Sequence, residues 1–193
     1  MKKLTVLSII TCMVMIICGI DTNAADNMEI IYPPNAPVIA SDFGSDIGID
    51  GEKSRSQTHQ GIDIKGPAGQ QILAVADGRV IDALEDWCWG PTISIDHGRD
   101  FEDKKLIAIY GHLGELRVTT GERVVRGQVI AHLGNNYLNH SCIANIRHLH
   151  FQLGRKIQTN PSGAWGHRRF LKDGAWGLNP HLYWANGPGK VTC

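Results

Sequence analysis

Neither sign of charge dominates this chain of 193 residues, in which 19 basic side chains face 19 acidic ones. The strong basic excess of a nucleic-acid binder is therefore absent, and no nucleic-acid partner is expected. No Cys-x-x-Cys occurs among the five cysteines, which excludes a cysteine-rich metal site. His-Glu-x-x-His is missing too, so no helix carries a histidine pair with a glutamate base between its members. Beyond the N-terminal region there is no long amphipathic helical pattern, and short apolar or alternating runs recur instead.

The one long hydrophobic run lies at the start. Lys2 and Lys3 precede an apolar stretch from Leu4 to Ile20, broken only by Thr5, Ser8, Thr11 and Gly19. Thr22-Asn23-Ala24 then offers small residues at the outer positions of a cleavage site, so residues 1–24 are expected to be a secretory signal. An uncleaved anchor is the alternative, because the run approaches membrane-spanning length. The polar, cleavable flank favours export without stable membrane insertion, to the periplasm or beyond. Lipid attachment at Cys18 or Cys12 fits less well, since Ile17 or Ile10-Thr11 stands where a small residue is wanted. Cleavage removes Lys2, Lys3 and Asp21, leaving 17 basic and 18 acidic residues and a formal charge of −1. Cys88, Cys142 and Cys193 remain, and export permits a disulfide. Cys88 and Cys142, both in loop-like stretches, are the favoured pair, although spacing cannot fix connectivity.

Residues 25–37 contain Pro33, Pro34 and Pro37 and read as an extended lead-in. A single domain is expected over 38–193. Its strand candidates are Val38–Ser41, Ile62–Lys65, Ile72–Ala76, Arg79–Leu84, Thr92–Asp96, Leu106–Tyr110, Arg123–Val125, Gln128–Ala131 and Leu149–Leu153. Closely spaced strands with turn signals predict an all-β fold, an antiparallel sandwich or half-barrel. Ala76-Asp77-Gly78-Arg79 is a hairpin signal between two of them. Asn135–Arg147 is a polar loop, and Gly-Ala-Trp-Gly occurs twice, at 163–166 and 174–177, in what reads as a hairpin-like excursion. Trp165 and Trp176 are expected to pack against the domain, with lining of a groove as the alternative.

Chemistry concentrates in two segments about ninety residues apart, His59-Gln60-Gly61-Ile62-Asp63 and His148-Leu149-His150. Two imidazoles and a carboxylate from separated segments form a ligand set for a catalytic zinc ion, which takes three protein ligands and keeps one position open. Residues two apart on a strand share a face, so His148 and His150 can face one pocket, one on the metal and the other beside it. His59 and Asp63 would lie about 13 Å apart on a flat strand, too far for one ion. A bend at Gly61 resolves this, with His59 on a loop and Asp63 on a strand. His112 ends the apolar run Leu106–Tyr110 just after Gly111. A zinc hydrolase needs a proton acceptor and an oxyanion stabiliser; without a glutamate motif a histidine pair is the natural substitute, and His112 and His148 are the candidates.

In these features the chain resembles the lysostaphin/LytM-type zinc endopeptidases of peptidoglycan. The matching segments are Ser41-Asp42-Phe43-Gly44, His59 to Gly69, Ala74 to Val80, Tyr110-Gly111-His112-Leu113, Gly121 to Ile130, His148 to Gln152 and Asn179-Pro180. They cover roughly 38–183 in order. The resemblance implies His59, Asp63 and His150 as ligands of one zinc ion, with His112 and His148 as the catalytic histidines. It also implies an antiparallel sheet core, long loops walling an active-site groove, and a peptidoglycan peptide as substrate. The long polar loop before His148, the expanded segment after Gln152 and Ala131-His132 depart from the usual pattern, and the two loops bear on substrate preference more than on chemistry.

The remaining histidines have plainer expectations. His132 is expected to pack within the sheet and His97 to sit in a turn, while His140, His167 and His181 are expected at the surface. Two rival functions stand beside the enzyme. A wall-binding protein or activator of another hydrolase would be expected to lack ligands, and none is missing. A lipoyl- or biotinyl-type carrier would need a lysine at a hairpin tip, and Ala76–Arg79 has none.

Overall fold

In a computed structural model, the described residues are 39–51, 55, 58–86, 89–135, 146–157 and 177–183. The expected leader and lead-in, all three later cysteines, Trp165 and Trp176 of the two Gly-Ala-Trp-Gly copies, and His140 and His167 lie outside them. Among the described residues no helix is long and apolar enough to cross a membrane.

The architecture is antiparallel and all-β. The strands are β1 (Ile39–Ser41), β2 (Ile62–Lys65), β3 (Gln71–Leu73), β4 (Gly78–Asp86) and β5 (Gly90–Arg99). They continue as β6 (Lys105–Gly111), β7 (Leu113–Leu116), β8 (Arg123–Val124), β9 (Val129–Leu133) and β10 (His148–Gly154). A short 3-10 turn, Pro180–Leu182, follows Asn179, whose side chain accepts from the His181 N–H. One sheet has the order β1-β2-β10-β6-β5-β4-β8, and a second has β3-β9-β7.

Alternation along the strands explains where the core lies. Leu106, Ala108 and Tyr110 of β6 and Leu149, Phe151 and Leu153 of β10 join Ile62, Ile64, Ile93 and Ile95 in one apolar cluster, together with residues of the small sheet. Tyr110 and Phe151 meet ring to ring at 5.2 Å, and the Val75 N–H donates to the Tyr110 hydroxyl at 3.0 Å. On the opposite face of the large sheet, Ile107 and Ile109 pack with Trp89 in a smaller cluster. The histidines of β10 face that side. At the other end of the sheet, Tyr183 donates to Asp100 at 3.0 Å and Arg155 pairs with the same carboxylate, which ties the segment 177–183 to the strands. Burial and the Asp100 carboxylate push the Tyr183 phenol up to about 12.

The expected strands are found in place with ends shifted by up to a few residues, β3 stopping at Leu73 short of the expected Ala76, and three details differ. β7 is an extra strand: Leu-Gly-Glu-Leu has no clean alternation, and its Gly114 is required because a Cβ there would lie 2.7 Å from the Gly134 backbone. The hairpin expected at Ala76–Arg79 is not one, since β3 pairs with β9 and β4 with β5 and β8. That turn passes the chain between sheets, with Asp77 accepting from the Arg126 N–H and Gly78 packed against Asp96 and Ile95. His97 is no turn residue. It lies in β5, 4% exposed, donating from Nδ1 to the Asp77 carbonyl at 2.8 Å, while its buried Nε2 finds no hydrogen-bond partner among the described residues.

Burial lowers the His97 pKa from 6.5. The unfolded chain therefore takes up this proton at a higher pH than the folded one. The contribution of His97 to stability is complete above about pH 6.5 and is lost as pH falls below it. The expected outcome is a lower urea midpoint at about pH 5.5 than at about pH 7.5, with a smaller difference in His97→Gln. An equal pH dependence in that variant would rule out the contribution.

Candidate metal centre

Strand register assembles the site. In the β2–β10 pair His150 stands opposite Asp63, and in the β6–β10 pair it stands opposite Gly111, the residue before His112. His59 enters from the loop before β2, with the chain bending at Gln60 and Gly61. Gly61 is needed for close approach: a Cβ there would meet the Phe151 carbonyl oxygen at 2.4 Å and His150 Cε1 at 3.1 Å. His59, Asp63, His112, His148 and His150 are all buried, and they meet in one place.

Asp63 Oδ1 lies 2.9 Å from His150 Nδ1 and 3.2 Å from His59 Nε2, and those two nitrogens are 3.1 Å apart. The hydrogen bonds made by the other ring atoms set the tautomers. His59 Nδ1 is 3.1 Å from the Asp42 carbonyl, which can only accept, so Nδ1 carries the hydrogen and Nε2 is the lone pair. His150 Nε2 is 3.1 Å from Gln152 Oε1, which leaves Nδ1 as its lone pair. Three acceptors this close repel one another unless a proton or a cation lies among them. The donor set fits zinc, since bonds of about 2.0–2.1 Å in a tetrahedron put neighbouring ligand atoms about 3.3 Å apart. Among the described residues this is the one cluster of this kind.

The remaining histidines flank the cluster. His112 donates from Nδ1 to the Trp89 carbonyl at 3.0 Å, and the same oxygen accepts its backbone N–H at 3.1 Å. His148 donates from Nδ1 to the Ile146 carbonyl at 2.6 Å. Each thus keeps a bare Nε2, and the two rings sit 4.6 Å apart. His112 has φ of 63°, the left-handed region. This conformation turns the chain from β6 in one sheet to β7 in the other and swings the imidazole off the strand line. Trp89 packs on both neighbours, 4.8 Å from the His150 ring and 5.6 Å from His112.

Burial controls the charges. It lowers the pKa of His112 well below 6.5, helped by the neighbouring His148 and His150, and lowers those of His148 and His59 as well. All three are neutral at pH 7 and able to use their lone pairs. Burial alone would raise Asp63, but hydrogen bonding with His150 and His59, the case in which a proton instead of a cation lies among these atoms, holds it well below the usual carboxylate value. The site sets one carboxylate beside the neutral imidazoles of His59, His112 and His148.

Several contributors carried no sequence signal of their own. Arg55 donates to Asp63 Oδ2 at 2.7 Å, and nothing in its neighbourhood marks it. Trp89 acts through a backbone carbonyl, which no side-chain pattern reveals. Ser41, Asp42 and Gln152 lie in segments that carry the resemblance, but their contacts follow only from the fold. Outside the cluster, His132 lies on β9 with a partly exposed ring 3.5 Å from Arg117 Nε, on the sheet but not within the core. His181 is partly exposed and pairs with Asp42 at 2.7 Å.

Comparison with known proteins gives a consistent set of likenesses. The family model described as peptidase family M23 matches residues 57–161. The murein hydrolase activator NlpD of Escherichia coli is 35% identical over 101 residues, a match taking in 51% of this chain and 23% of that protein. The chain spans less than a third of the length of the curated relatives it matches first. Among solved structures, a zinc-containing peptidase from Vibrio cholerae is 27% identical with a TM-score of 0.51, over 65% of this chain and 36% of that one. The catalytic domain of a mutant of the prophage-encoded M23 protein EnpA from Enterococcus faecalis has a TM-score of 0.54 at 23% identity, over 81% of this chain and 97% of that one, a likeness of fold.

The contact at Gly61 can be tested directly. Gly61→Ala places a methyl against the Phe151 carbonyl and is expected to destabilise the protein by about 1–3 kcal/mol through forced backbone movement. A lowered thermal midpoint reads this; an unchanged one would show that the loop and β10 are not so closely apposed.

Proposed function

The chain belongs to peptidase family M23, and from that premise we propose that it is an exported zinc-dependent endopeptidase cleaving peptide stems or cross-links of peptidoglycan. In this reading residues 1–24 are the export signal, 25–37 a lead-in and 38–193 the peptidase domain. His59, Asp63 and His150 would hold one zinc ion. The convergence of His59 Nε2, Asp63 Oδ1 and His150 Nδ1 within 3.2 Å of one another is the observation that carries the proposal.

Zinc bound there supplies a Lewis acid for the scissile carbonyl and makes water acidic enough to lose a proton near neutral pH. The chain's own residues do the rest. His112 and His148 each present a bare Nε2, so one accepts the proton from the attacking water. The other keeps its bare Nε2 and hydrogen-bonds the tetrahedral intermediate by accepting from the hydroxyl that the attacking water has become. Burial makes an imidazolium here a strong acid. The histidine that takes the proton is thus ready to pass it to the departing amine. The Trp89 and Ile146 carbonyls hold both rings in the tautomer this requires. Near-zero net charge and the absence of a basic excess fit a peptide substrate and no nucleic acid.

A second reading has its own support. The relatives include a protein named as a murein hydrolase activator, so a wall-binding or activating role without catalysis is the alternative. Purified peptidoglycan decides between them: the zinc-loaded protein releases peptide fragments in the first reading and none in the second. Mass analysis of those fragments, with and without a chelator, also identifies the bond.

His150→Ala is expected to abolish zinc binding and hydrolysis together. His112→Ala is expected to keep one zinc per chain and lose turnover by about 10²–10⁴-fold, the usual contribution of a positioned acid or base. Zinc content and fragment release measure both. Hydrolysis that persists in metal-free His150→Ala would sink the scheme.

A further inference from the structure

We propose that Arg55 is a positioning residue of this centre, confining Asp63 to a single ligating oxygen and steadying His59 through Ser41. The inference rests on the zinc-centre reading above. Asp63 turns Oδ1 toward the imidazoles, while its Oδ2 accepts from Arg55 Nη2 at 2.7 Å. The same Nη2 donates to Ser41 Oγ at 3.2 Å, and Arg55 Nε donates to the Ile47 carbonyl at 3.2 Å. The Ser41 hydroxyl spends its own hydrogen on that carbonyl, at 3.0 Å. Its lone pairs are left for Arg55 and for His59 Nδ1, 3.4 Å away. One guanidinium therefore reaches two of the three ligands, one directly and one through a hydroxyl.

The chemistry favours arginine for this task. Its planar fork presents several donors in fixed directions, whereas an ammonium is a point charge on a flexible stem. The carboxylate side of the pair is 3% exposed and the arginine 28%, so the contact is shielded where it touches the centre. A free carboxylate can grip an ion through both oxygens and raise its coordination number. With Oδ2 engaged, Asp63 offers one oxygen, and the fourth position of a catalytic site stays open.

The test uses the protein without residues 1–24, comparing the parent with Arg55→Met. Zinc affinity is measured by competition with a chromophoric chelator, and coordination by the visible absorption of the Co²⁺-substituted form. We expect zinc binding about 10–100-fold weaker in Arg55→Met, the range for partners that orient metal ligands. The Co²⁺ bands should also weaken and shift as Asp63 becomes free to use both oxygens. Parent-like affinity and spectrum in Arg55→Met, with one zinc bound by the parent, would overturn the Arg55 role alone. A parent that takes up no zinc overturns this role and the zinc-centre reading together. Should Arg55→Met fail to fold, Arg55→Gln is read in the same two ways, because one amide cannot reach Asp63, Ser41 and Ile47 at once.

Discussion

The register between β2 and β10 is the constraint on which the rest depends. It places His150 opposite Asp63, and through the β6 pairing it also sets His150 beside the turn that carries His112. A slip of one residue would turn every side chain of β10 to the other face. His148, His150 and Gln152 would then enter the apolar core, and Leu149, Phe151 and Leu153 would leave it. Each of those three is fully buried, and burying such a side chain is worth about 1.5–3 kcal/mol. The geometry of the polar face is thus enforced by the apolar face behind it.

That polar face buries a group of imidazoles in close contact, which is unfavourable unless each finds a partner. Four carbonyl-type acceptors meet the need: Asp42 for His59, Trp89 for His112, Ile146 for His148 and the Gln152 amide for His150. Each bond also fixes a tautomer, so the hydrogen bonds that make burial tolerable also aim the lone pairs. Desolvation works in the same direction, because it favours the neutral ring. The unresolved term is the crowding of acceptors around Asp63 Oδ1, which a cation of the right size relieves.

Much of this was readable from residues alone, where side-chain type and spacing carried the signal. The impossibility of spanning one ion across a flat His59–Asp63 strand demanded a bend, and the chain bends at Gln60 and Gly61. Strict alternation in β10 placed both histidines on one face. Pairing between sheets was less legible. Asp77-Gly78 looks like a hairpin because local turn chemistry is the same whether the next strand pairs back or crosses to another sheet. His97 looked like a turn residue because Gly98 follows it; the glycine instead lies at an irregularity in β5, with φ of 81°. Arg55 and the Trp89 carbonyl were invisible because their roles arise from tertiary proximity, with no repeating pattern to mark them.

His112 shows most clearly how fold and chemistry share one device. A left-handed backbone costs a non-glycine residue about 1–3 kcal/mol, and glycine or asparagine would sit there more easily. The turn is required in any case, since the chain must leave β6 of one sheet and begin β7 of the other within one residue. Histidine offsets part of the strain because the Trp89 carbonyl accepts both its backbone and its ring N–H. Glycine could keep only the first of those bonds. The sheet crossing, the strained φ and the bare Nε2 facing His148 therefore have a single cause. The residue type that local propensity disfavours there is the one that lets the crossing serve the site.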